Sequence, residues 1–152
     1  MIKILFVCLG NICRSPMAEF IMKELVKKRG LEDEFEISSA ATSSEELGNA
    51  VYPPVQALLR KRGISCDGKF AVKICAADYD KYDYIIGMDS SNMRNMQRIF
   101  GGDREGKLYK LMSFTGSDRD VADPWYTRAF SDTENDVYNG CTALLNYLTD
   151  NK

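Results

Sequence analysis

Cys8 and Arg14 stand at the two ends of a C-x5-R loop in the stretch Val7-Cys8-Leu9-Gly10-Asn11-Ile12-Cys13-Arg14-Ser15-Pro16. A thiol and a guanidinium so placed can meet one ligand from both sides. The apolar run Ile2 to Val7 leads into this loop and a helical pattern from Pro16 leads away, so it is predicted to join a buried strand to a helix N-terminus. Such a loop points successive backbone N–H groups at one place with a helix dipole behind them, which favours an anion. Arg14 can grip two phosphate oxygens at once, as a lysine cannot. The same positive field favours the nucleophilic thiolate form of Cys8. Gly10 and Asn11 stand where the backbone must curl, since both tolerate left-handed conformations. Ser15 is placed to hydrogen-bond the sulfur. Leu9, Gly10, Asn11, Ile12, Cys13 and Ser15 therefore form a candidate phosphate-binding loop.

Phosphoryl transfer also needs a proton donor for the leaving group. The chain has no histidine, which removes the usual general base and a common metal ligand together. A carboxylic acid must serve, and Asp123, in Asp123-Pro124-Trp125-Tyr126, is the candidate. Pro124 stiffens its loop and the two aromatic rings supply an apolar wall. An Asp-Pro pair alone is a turn signal; pairing with the Cys8 loop is what gives it a chemical reading. The five cysteines, at 8, 13, 66, 75 and 141, lack the paired spacing of a zinc site, so neither metal nor cofactor is expected. Cys13 is close enough in sequence to form a reversible disulfide with Cys8, and the other three read as packing or incidental thiols.

The elements that must hold these residues follow from pattern. Strands are predicted near 3–7, 35–40, 83–88 and 107–111. Helices are predicted from Pro16 to Gly30 with Ser15 as N-cap, through Leu58 and Leu59 to Gly63, and through Met93, Met96 and Ile99 to Gly101. A last helix carries the stripe Val137, Cys141, Leu144 and Leu148, with Ser131 and Glu134 at capping-box spacing. Residues 42–54 and 121–128 read as loops, and 64–82 carries no clear pattern beyond a short helix near Asp78. Alternating strands and helices without a linker predict one α/β domain over residues 1–152, with ligands at the carboxyl ends of the strands. Cys8, Ser39 to Ser44, Asp89 and Asp123 all fall on that rim. A net charge of −2 points away from nucleic acid and membrane surfaces. Free thiols without a signal peptide or a membrane-spanning stretch predict a reduced, cytoplasmic protein.

Val7 to Glu19, Ser38 to Ser43, Asp83 to Asp89 and Asp123 to Tyr126 follow in order and spacing the motifs of the low-molecular-weight protein tyrosine phosphatases, which the chain resembles over essentially its whole length. The resemblance implies a three-layer α/β/α sandwich on a four-stranded parallel sheet of order 2-1-3-4. It also implies metal-free hydrolysis of phosphotyrosine proteins or peptides in two steps. Cys8 would form a phosphocysteine, Arg14 would hold the phosphate oxygens, and Asp123 would act as acid and then base. Asn11 would brace the loop with help from Ser39, and Ser15 would support the thiolate. Trp125 and Tyr126 would line the substrate slot, with Glu45 to Leu47 opposite, in a monomer or weak homodimer. Three departures stand out, one being Thr127 in place of the glycine common after the Asp-Pro-aromatic-aromatic run. Glu45 occupies a position where many members carry an aromatic residue, an acidic wall suited to basic flanking residues. Gly68 stands near where many carry a histidine.

Three other readings compete. An arsenate reductase on this fold needs a cysteine at the end of the third strand, where this chain has Met88-Asp89. Protein-arginine phosphatases tend to carry threonine at the position of Ile12, whose apolar branch suits an aromatic ester better. A phosphopeptide-binding module needs neither a thiolate nor an acid.

Overall fold

The computed structural model describes residues 1–150. Four parallel strands, β1 (Ile2–Cys8), β2 (Phe35–Ala41), β3 (Tyr84–Gly87) and β4 (Leu108–Lys110), form one sheet in the order β2-β1-β3-β4. β1 lies inside the sheet with Ile4, Leu5, Phe6 and Val7 all buried, as its unbroken apolar run requires. The register sets Cys8 opposite Ala41 and Val7 opposite Gly87, which in turn faces Lys110. The carboxyl ends of the strands are thus level, and the loops after them share one rim.

Alternation along β1 sends Ile4 and Phe6 to one face and Leu5 and Val7 to the other, each into its own core. The first core is closed by α1 (Arg14–Lys28) and α6 (Phe130–Asp150), through Met17, Ile21, Val137, Cys141 and Leu144. The second is closed by α4 (Ser90–Phe100), through Met96 and Phe100, and by Tyr79 of the short helix α3 (Asp78–Lys81). Helices on both faces of a parallel sheet make the three-layer sandwich. Among the described residues no helix is long and apolar enough to cross a membrane.

Several local expectations are corrected. α1 begins at Arg14 with Cys13 at its N-cap position, so Ser15 lies within the first turn and caps nothing. Its hydroxyl is taken up by the loop instead. The prolines at 53 and 54 open the helix α2 (Pro53–Lys61) rather than precede it, since proline suits a first turn whose N–H groups lack partners. Residues after α2 are not featureless: Lys73 bridges to Ala41 beside β2, and Phe70 to Ala50. Asp123-Pro124 caps a single helical turn, α5 (Pro124–Thr127), where a loop is expected. α6 starts at Phe130, which places Ser131 inside the helix; its predicted stripe, Val137, Cys141, Leu144 and Leu148, is buried.

α6 crosses close over the turn at Leu111–Thr115. A β-carbon on Gly140 would lie 2.6 Å from Leu111 Cγ, so only glycine permits this approach.

Candidate active site

The loop from Cys8 to Arg14 wraps around the Cys8 sulfur. The backbone N–H groups of Asn11 and Ser15 point at Sγ from 3.3 and 3.4 Å, and Ser15 Oγ lies 3.0 Å from it. Asn11 is the left-handed residue of the loop, at φ 59, and is buried. Holding a non-glycine residue there costs of order 1 kcal/mol, offset by its side-chain hydrogen bonds. Asn11 Nδ2 donates to Ser15 Oγ at 2.7 Å and to Ser39 Oγ at 3.0 Å, while Oδ1 accepts from the Val72 N–H at 3.1 Å. Gly10 serves a different purpose from the expected curl. A β-carbon there would come 3.2 Å from Glu46 Cγ, so glycine is what lets Glu46 lie over the loop.

Arg14 is 2% exposed, and its guanidinium is held by three acceptors from two other rim loops. Nη1 donates to Asp89 Oδ2 at 2.7 Å and to the Val121 carbonyl at 2.9 Å, and Nη2 reaches Asp123 Oδ2 at 3.4 Å. Burial works against its charge, but the Cys8 sulfur and the Asp89 and Asp123 carboxylates outweigh it and raise its pKa above the ordinary arginine value. Asp89 acts on the fold as well, because its Oδ1 accepts from the Asn92 N–H at 2.7 Å, within a capping box at the start of α4. Sequence reasoning puts Asp89 on the rim without a role. The available signal is an N-cap aspartate whose second oxygen is spare for a rim-facing cation. No side-chain pattern announces the Val121 carbonyl.

Asp123 caps α5, with Oδ1 accepting from the Trp125 N–H at 3.0 Å, which leaves Oδ2 toward Arg14. The cleft over the sulfur is lined by Leu9, Gly10, Ile12, Cys13 and Arg14 on its floor, Glu45 and Glu46 on one wall, and Asp123, Trp125 and Tyr126 on the other. Trp125 is backed by the Tyr52 ring at 4.9 Å, whereas Tyr126 is 75% exposed. Of the stretch Glu45 to Leu47 expected opposite the aromatic pair, Glu45 and Glu46 line the cleft and Leu47 does not. The turn closed by the Leu47 N–H on the Ser44 carbonyl leaves Leu47 out in solvent.

Cys13 lines the floor but is not a second thiolate. Burial first, then the neighbouring Cys8 and Asp123, push its thiol up to about 12. Cys8 and Cys13 are both free in this structure. Among the described residues no group of histidine, cysteine or carboxylate side chains is arranged to hold a metal.

The fold and this cleft define a phosphatase class. The family described as low molecular weight phosphotyrosine protein phosphatase matches residues 3–152, and the chain belongs to it. The low molecular weight protein-tyrosine-phosphatase YfkJ of Bacillus subtilis is 41% identical over 147 residues, covering 95% of this chain and 94% of that protein. Its crystal structure superposes with a TM-score of 0.96 at 40% identity, over 100% of this chain and 97% of that one. The phosphatase PtpA of Staphylococcus aureus is 39% identical over 97% of this chain and 94% of its own length. The Drosophila arginine phosphatase shares the fold at TM-score 0.88 and 32% identity, over 97% of this chain and 98% of that one.

Proposed function

We propose that this phosphatase hydrolyses phosphotyrosine in proteins or peptides, and small aryl phosphates, through a phosphocysteine on Cys8. The observation that carries the reading is the convergence on one sulfur of two backbone N–H groups, the Ser15 hydroxyl and an arginine fixed from two other loops. Donors aimed in advance at one point stabilise charge that develops there without reorganising during reaction. In the first step the Cys8 thiolate forms a bond to phosphorus while the bond to the phenolic oxygen breaks. Asp123 gives its proton to that oxygen, and Arg14 with the loop N–H groups takes the equatorial phosphate oxygens. In the second step Asp123 removes a proton from water, which attacks phosphorus and returns the Cys8 thiolate and inorganic phosphate. The aromatic wall of Trp125 and Tyr126, and the apolar Ile12 on the floor, suit a planar ring as leaving group.

Turnover of p-nitrophenyl phosphate and of phosphotyrosyl peptides should be metal-independent and abolished in Cys8→Ser. In Asp123→Ala, kcat/KM, which reports the first step, should fall by roughly 10²–10⁴-fold for esters with poor leaving groups and far less for p-nitrophenyl phosphate. Full activity in Cys8→Ser would reject the assignment. Similarity to an arginine phosphatase makes phosphoarginine the informative competitor; its faster turnover would reassign the substrate.

A further inference from the structure

Behind the phosphate-binding loop a buried polar chain runs from Cys8 to the segment that joins α2 and α3. Glu19, on α1, is 5% exposed. Its Oε1 accepts from Ser39 Oγ at 2.5 Å and lies 3.6 Å from Lys69 Nζ, which also donates to the Ser39 carbonyl at 2.8 Å. Its Oε2 pairs with Lys23 at 2.6 Å.

The direction of each hydrogen in this chain follows from donor and acceptor counting. An ionised carboxylate only accepts, so the single Ser39 hydrogen goes to Glu19. Ser39 Oγ then accepts from Asn11 Nδ2, whose other hydrogen goes to Ser15 Oγ. The Val72 N–H on Asn11 Oδ1 fixes which way that amide faces. Ser15 Oγ has thus received a hydrogen and has its own to give, either to Cys8 Sγ at 3.0 Å or to the Ala40 carbonyl at 3.5 Å. The nearer acceptor, and the only one that carries charge as a thiolate, is the sulfur.

We propose that Lys69 is a positioning residue for the reaction: its ammonium, set between the Glu19 carboxylate and the Ser39 carbonyl, fixes both and so orients the chain Glu19, Ser39, Asn11 and Ser15 until the last hydroxyl donates to Cys8. Lys23 is 45% exposed and neighbours Glu19 along the helix, an arrangement that water screens strongly. Lys69 is 13% exposed and joins Glu19 and Ser39 at once. Burial, with Lys23 acting the same way, lowers the Lys69 pKa below the ordinary lysine value, against the pull of Glu19 and Cys8. Of the other ionisable groups near the sulfur, Arg14, Cys13 and Asp123 line the cleft and Asp89 holds Arg14. The inference rests on Cys8 as nucleophile.

The test is the rate at which iodoacetamide alkylates Cys8 at pH 6, scored as inactivation that inorganic phosphate prevents, together with kcat for p-nitrophenyl phosphate. Lys69→Met should slow both by roughly tenfold, the scale of one charge-assisted hydrogen bond. Lys69→Arg should restore both to within about threefold, because it keeps the cation. Ser15→Ala should show a similar loss, and adding Lys69→Met to it should cost no more than about twofold further, because both changes act through one hydroxyl. If Lys69→Met does not fold, the double variant E19M/K69M leaves no unpaired buried charge and should show the same tenfold loss. Wild-type alkylation in folded Lys69→Met, or losses that multiply in the Ser15 double variant, would overturn the proposal. Activity in Cys8→Ser would instead overturn the assignment of the nucleophile.

Discussion

Asp89 joins the stability of the fold to the reactivity of the cleft, and its two oxygens allow the two to be separated. Oδ1 caps α4 and Oδ2 holds Arg14. Asp89→Ala removes both. Losing an N-cap costs about 1 kcal/mol. Breaking a buried ion pair from one side costs about 3–5 kcal/mol, but the Asp89 side chain is 20% exposed and Arg14 keeps Val121 and Asp123, so about 2 kcal/mol fits better. The sum is a loss of about 3 kcal/mol for Asp89→Ala. Asp89→Asn can still accept from Asn92 and keeps the cap, so its loss should be about 1–2 kcal/mol. Activity should follow the guanidinium. A small misplacement of a group that binds the reacting phosphate costs roughly 10²-fold, the expected drop in kcat/KM for Asp89→Ala. For Asp89→Asn roughly tenfold is expected, since a neutral amide orients arginine less firmly. Urea denaturation gives the first pair of numbers and initial rates on p-nitrophenyl phosphate the second. Both variants within about twofold of wild type in kcat/KM would refute the idea that Asp89 aims Arg14.

Further outcomes follow from the packing and the charges. Gly140→Ala should destabilise the protein by about 1–3 kcal/mol in thermal or urea unfolding, because the new methyl meets Leu111. Cys13 should resist iodoacetamide at pH 8 in the folded protein, read by mass spectrometry, since burial holds its thiol up to about 12. Raised above its unfolded value of 9.0, Cys13 favours the fold most below that pH and loses its contribution as pH climbs toward about 12. At Asp120 burial opposes the charge, but Lys110 and Ser90 overcome it and lower the pKa below the ordinary carboxylate value. Its contribution is therefore present above the unfolded value and disappears as pH falls through the folded one. Asp120→Asn should destabilise by under about 1 kcal/mol at pH 7, discounted for its exposure, and by nothing measurable near pH 2.

What was legible in the chain was what neighbouring residues decide together. The apolar run of β1, the loop after it and the stripe of α6 are each set by residues close together in the chain, and all lie where their patterns put them. The sheet order followed from the resemblance, since pattern alone does not say which strand lies beside which. What escaped was decided across the sheet. Arg14 takes its partners from Asp89 and Val121, far along the chain, and one of them is a backbone carbonyl. Asn11 is held from Ser39 and Val72, the latter in a segment whose pattern says nothing of a role. Ser15 looked like a helix cap because its spacing fits one, but the curl of its own loop brings Cys8 and Asn11 onto its hydroxyl. Which residues of Glu45 to Leu47 face the cleft is set by a single turn whose direction no composition reveals.

If the reaction runs through the Cys8 sulfur, phosphorus can be caught there. Asp123→Ala mixed with excess p-nitrophenyl phosphate in a stopped-flow instrument, then quenched for peptide mass analysis, would trap it. This leaving group departs without much help, but the hydrolytic step lacks its base, so the intermediate should accumulate. The expected result is a burst of about one p-nitrophenolate per enzyme and a phosphate on the peptide that contains Cys8. Turnover with no burst and no phosphate on that peptide would rule out a phosphocysteine at Cys8.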